Sequence, residues 1–63
     1  MNRLKELRID KKLSQKNISE LLHMSQTGYS KYETEENDIP TKILIVLSKF
    51  YDVTVGYLLG VDD

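Results

Sequence analysis

Residues 13–33 read LSQKNISELLHMSQTGYSKYE, two short helix-forming runs separated only by a tight turn. Each run is opened by a serine, Ser14 or Ser25. A hydroxyl at that place accepts from the otherwise free N–H groups of a helix's first turn, so each serine marks a start. In the first run Ile18 and Leu22 stand four apart with Leu21 beside them, which makes one apolar stripe. In the second run, over residues 25–34, steps of about 100° put Tyr29 and Tyr32 on one side with Ser25 and Gly28. Gln26, Thr27, Ser30 and Lys31 fall on the other side. Every side chain of that outer face can hydrogen-bond a base edge or a phosphate.

Size limits the rest of the chain. Its 63 residues suffice for one domain, over residues 1–63, near the lower limit for folding without a staple. The core of such a domain supplies about 3–5 kcal/mol. With no cysteine and one histidine, neither a disulfide nor a zinc site is expected, and no cofactor or small-molecule ligand is implied. No apolar run nears the ~20 residues of a membrane span, and no signal peptide opens the chain, so the expected setting is cytoplasmic, with no membrane partner. No nucleophile–base pair, metal cluster or Gly-rich phosphate loop is present, so an enzyme is not expected.

The formal net charge of −1 is unhelpful for a nucleic-acid binder and implies weak non-specific affinity. Its distribution matters more than its sum. Arg3, Lys5, Arg8, Lys11 and Lys12 face only Glu6 and Asp10 in the first segment, whereas residues 33–38 hold four acids and no base.

All other elements also read as helix. The first is expected over about residues 2–12, with Leu4 and Leu7 inward and Leu13 closing it. His23, Met24 and Ser25 make the turn, with Met24 as its buried plug. Residues 35–38 form an acidic loop ended by Ile39 and Pro40. Thr41 is expected to cap a fourth helix reaching Tyr51, with Leu44, Leu47, Ser48 and Tyr51 inward. Thr54 caps a short fifth helix stopped at Gly60, beyond which Asp62 and Asp63 fray.

The set LSQ, ISELLHMS, YSKYE, IP and VTVGYLLG resembles the lambda-repressor/Cro-type (XRE-like) helix-turn-helix regulators across nearly the whole chain. The resemblance implies an all-α, compact five-helix bundle that binds double-stranded DNA, usually as a homodimer. By position, Gln26, Thr27 and Lys31 would read bases. Gln15 would touch the DNA backbone, where Lys16, Ser25, Ser30 and Tyr32 are further candidates. Arg8 and Glu33 match a pair that ties the first helix to the end of the recognition helix. Ser19 holds the small-residue position that lets the second and third helices approach closely. Three customary turn glycines are replaced by His23, Glu35 and Asp52. His, Asn and Asp tolerate the left-handed conformation better than branched residues do. Glu35 in addition brings like charge toward phosphate.

Gly28 reads either as room for close approach to DNA or as an indifferent substitution, with the second favoured. On the fourth helix Ile43, Val46 and Phe50 lie outside the inward stripe; with Tyr57 and Leu58 they are expected to form an exposed apolar dimer patch. The expected function is therefore a sequence-specific transcriptional regulator, a repressor reading a palindromic operator with helix 25–34 in the major groove. The rival is a protein-interaction module of the same fold, an antagonist or antitoxin-like partner with weak or no DNA binding, favoured by the acidic loop.

Overall fold

A computed structural model describes residues 1–61; the fraying expected of Asp62 and Asp63 lies outside that range. Five helices follow in order: α1 (Leu4–Asp10), α2 (Gln15–Leu21), α3 (Gln26–Glu33), α4 (Thr41–Tyr51) and α5 (Val55–Leu59). No described residue is in a strand. The start signals act largely as their chemistry requires. Ser14 accepts from the Asn17 amide while Asn17 Oδ1 accepts from the Ser14 amide, a reciprocal box that holds both ends of the first turn. The Ser25 hydroxyl accepts from the Gly28 amide and that of Thr54 from the Tyr57 amide. The fourth start differs: Pro40 is the cap, without a side-chain bond, and Thr41 is the first helical residue. Proline at that junction fixes φ just before the helix begins, while no side-chain oxygen caps the first-turn amides of α4.

The ends share one device. In α1, α2, α4 and α5 a left-handed residue follows the last turn: Lys12, His23, Asp52 and Gly60, with φ of 59°, 56°, 55° and 75°. Each donates its amide three residues back, and the next residue donates five back, as in Leu13 to Arg8 and Met24 to Ser19. The first helix ends earlier than periodicity suggests, because Lys12 turns the chain left-handed. Only Gly60 of these four adopts that conformation without steric penalty. A Cβ there would in addition lie 2.1 Å from the Met1 carbonyl oxygen.

Each helix or its cap contributes to one core: Leu4, Ile18, Leu22, Tyr29, Leu47, Tyr51 and Leu58. Leu7, Leu13, Met24, Tyr32, Ile39, Ile43, Leu44 and Val53 pack around it. Helix α2 lies on α3, α4 on α5, and α1 on α3. The buried Ser19 turns its hydroxyl back to the Lys16 carbonyl, 2.9 Å away. The N-terminal segment closes the bundle. Arg3 donates its amide to Leu58 and its guanidinium to Tyr57 (2.8 and 2.7 Å), while the Asn2 amide group donates to the Tyr32 carbonyl.

The expected apolar patch is only partly exposed. Leu58 is fully buried in the core and so cannot belong to it. Five residues are too few for helical periodicity to say which side of α5 meets the bundle. Ile43 is half-buried, and the Tyr57 ring is also half-buried, with the Arg3 guanidinium 4.2 Å above it. Val46 and Phe50 are exposed, joined by Ile45, which the sequence pattern did not single out. The Lys11 ammonium lies 5.7 Å from the Phe50 ring centre.

Candidate nucleic-acid interface

The turn between α2 and α3 fixes the angle at which α3 leaves the bundle. His23, left-handed, reverses the chain, and the half-buried Met24 packs against the core beneath the turn. Tyr29 then anchors α3 from below: it is fully buried, and Tyr32 stands edge-on to it at 6.4 Å. With that side committed to the core, the opposite side of α3 must face outward.

Gln26, Thr27 and Lys31 are exposed. With Ser30, Gln15 and Glu36 they line one open groove of about 370 Å³. Five expected contact residues are thus gathered on one surface. Lys16 and Ser25 lie exposed outside the groove, and Tyr32 is half-buried outside it. A Cβ at Gly28 would come within 3.1 Å of both Met24 Cε and the capping Ser25 Oγ, so those two side chains would have to give by a few tenths of an ångström to admit one.

Beneath the groove is an ionic network. Arg8 Nε donates to Glu33 Oε2 at 2.7 Å, and Nη2 donates to Oε1 at 3.2 Å. The third guanidinium nitrogen, Nη1, donates to the Leu13 carbonyl at 2.9 Å. Gln15 Nε2 donates to Glu33 Oε1 at 3.2 Å, a contact the sequence pattern did not foresee. Arg8 therefore ties α1 to α3, while Glu33 ties both to the first residue of α2. Burial pushes the Glu33 carboxyl up, but the Arg8 and Gln15 hydrogen bonds outweigh it and hold the group below the usual carboxylate range. The Glu33 bond, against burial, raises Arg8. Burial foremost, then the nearby Glu33 carboxylate, holds the Tyr29 phenol far above its ordinary value; Tyr51 is pushed up to about 12, mainly by burial. Both phenols are neutral at physiological pH.

Residues 4–58 match the helix-turn-helix family. The chain belongs to that family. It is 36% identical over 61 residues to YobD of Bacillus subtilis, described as an uncharacterized HTH-type transcriptional regulator, covering 97% of this chain and 54% of that protein. To the HTH-type transcriptional regulator ImmR of the same organism it is 39% identical over 61 residues, 97% of this chain and 48% of ImmR. To the HTH-type transcriptional activator BcrR of Enterococcus faecalis it is 36% identical over 58 residues, 92% and 28% of the two chains. The chain spans about half the length of the first two relatives. No solved structure matches it. Among the described residues, no helix of this family member is long and apolar enough to cross a membrane.

The acidic loop departs from expectation in which residue meets the groove. Glu35 is left-handed, φ 66°, in the place where glycine would be unstrained. Glu36, not Glu35, lines the groove. Nothing in the residue pattern distinguished the two, because the outcome depends on how the loop closes over the end of α3.

Proposed function

We propose that this chain is a sequence-specific DNA-binding transcription regulator that inserts α3 into the major groove. The observation carrying the proposal is the outward polar side of α3, where Gln26, Thr27 and Lys31 stand exposed along one groove. Glutamine can pair bidentately with adenine, lysine can reach guanine O6 and N7, and the threonine methyl can meet a thymine methyl. Such a bidentate pair contributes about 1–3 kcal/mol of discrimination. Gln15, Lys16, Ser25, Ser30 and Tyr32 would meet phosphates and set the register. Gln15 gives one amide hydrogen to Glu33 and keeps a second for that purpose, and a hydroxyl that accepts at a cap, as Ser25 does, can still donate. The regulator names of the relatives point the same way.

Two finer features belong to this reading. Occupying a promoter is enough to block it, whereas activation needs a further protein contact, so repression is the simpler mode. A homodimer formed through the exposed Val46 and Phe50, flanked by Ile43 and Tyr57, would read a palindromic operator with half-sites about one helical turn apart. The rival reading, a protein-interaction module with little DNA affinity, draws on Glu36 in the groove and on the net charge of −1.

Selection of bound duplexes from a random pool tests the proposal. It should enrich a site with two related halves, and Lys31→Ala should weaken binding to that site about tenfold or more. A pool that emerges unchanged at low salt would refute DNA reading and leave the rival.

A further inference from the structure

The ending of α3 differs from the other four. In α1, α2, α4 and α5 the closing amide bond runs five residues back, but at α3 the Asn37 amide reaches six back to the Lys31 carbonyl, 3.2 Å away. The extra residue inside that span is Glu36. The Thr34 hydroxyl lies 3.1 Å from Glu36 Oε1 and 3.3 Å from the same Lys31 carbonyl, and donates its one proton to the nearer carboxylate or shares it between the two. The Glu36 carboxylate is thereby held at the groove that Gln15, Gln26, Thr27, Ser30 and Lys31 line. A left-handed Glu35 makes the turn sharp enough for this return.

A carboxylate fixed on a surface meant for a polyanion has a calculable consequence. We propose that Glu36 is an electrostatic brake on DNA affinity: it opposes phosphate approach at the edge of the reading face whatever the sequence, so that stable binding requires the base contacts of α3. The inference rests on the DNA-binding reading above and specifies how affinity is set at that same surface. Phosphate attraction is common to all sequences and dominates non-specific binding. A fixed negative charge subtracts from that shared attraction and leaves base-edge contacts to decide occupancy. Lys31 contributes its side chain to reading and, by accepting from the Asn37 amide, its carbonyl to positioning the brake.

Glu36→Gln is the informative variant, because it removes the charge and keeps an oxygen to accept from Thr34. Affinity would be measured by fluorescence anisotropy on two labelled duplexes, one carrying the selected site and one a scrambled sequence. Like charges about 5 Å apart in a water-like dielectric repel enough that the substitution should tighten binding to both duplexes by about three- to tenfold. The gain should shrink as salt rises from about 50 to 200 mM, since screening weakens the repulsion being relieved. Unchanged affinity on both duplexes would overturn the brake while leaving DNA binding intact. So would tighter binding confined to the selected duplex, or a changed preference at one base pair, since either would make Glu36 a base reader. No binding by either protein at low salt would sink the DNA reading and the brake together. A matching far-UV circular dichroism melt excludes altered folding as the source of any change.

Discussion

Replacing Arg8 by methionine should cost this protein most of its stability, and the ionic network shows why. The substitution keeps much of the aliphatic stem but deletes two hydrogen bonds to Glu33, at 2.7 and 3.2 Å, and a third to the Leu13 carbonyl. The side chains of Arg8 and Glu33 are 12% and 5% exposed, so the carboxylate left behind is almost out of water. The Gln15 amide would remain to donate to it, at 3.2 Å. Breaking a buried pair from one side costs about 3–5 kcal/mol, because the surviving charge is desolvated and uncompensated. A domain of this size has about 3–5 kcal/mol in total, so Arg8→Met should be substantially unfolded at 25 °C. The companion measurement is the double variant Arg8→Met with Glu33→Leu. Removing both charges together eliminates the desolvation cost, so the double variant should be more stable than Arg8→Met alone. Urea titrations followed by far-UV circular dichroism give the cycle. A single variant costing under about 1 kcal/mol, or a double no better than the single, would refute the argument. The pH dependence gives an independent reading. Since folding lowers the Glu33 carboxyl below its unfolded value, its contribution is present above roughly pH 4.3 and lost as pH falls through the folded value. The Glu33→Leu proteins should lack that component of acid unfolding.

Three further outcomes follow from local geometry. Gly60→Ala should destabilise by at least about 2 kcal/mol, read from a thermal melt, because the added Cβ meets the Met1 carbonyl in a left-handed backbone; an unshifted melting temperature would contradict this. Glu35→Gly should raise stability by about 0.5–1 kcal/mol, since the left-handed strain at φ 66° is relieved at a smaller entropic cost; a lower urea midpoint would count against the strain. Tyr51→Phe removes a buried hydroxyl that finds no hydrogen-bond partner in the described structure, so it should be neutral or stabilising by up to about 1 kcal/mol. A loss of more than about 1 kcal/mol on chemical denaturation would mean that hydroxyl is satisfied after all.

Sequence chemistry alone determined the parts of this protein that are local. A serine or threonine before a helical run must satisfy the first amides, which is why Ser14, Ser25 and Thr54 mark three helix starts correctly. Four-residue spacing likewise placed Ile18, Leu22, Leu47 and Tyr51 inward. The family pattern located the left-handed ends at His23, Glu35 and Asp52, but nothing in the residue type singled out Lys12. Facing direction could be read on an eleven-residue helix such as α4 but not on five-residue α5, where Leu58 turned into the core. The tertiary structure alone decided which carboxylate of the acidic loop meets the groove and that Gln15 bonds Glu33. Those contacts join segments whose relative placement no periodicity encodes. They arise only when α1, α2 and the end of α3 have packed against one another, and the side-chain chemistry of the candidate site depends on that packing.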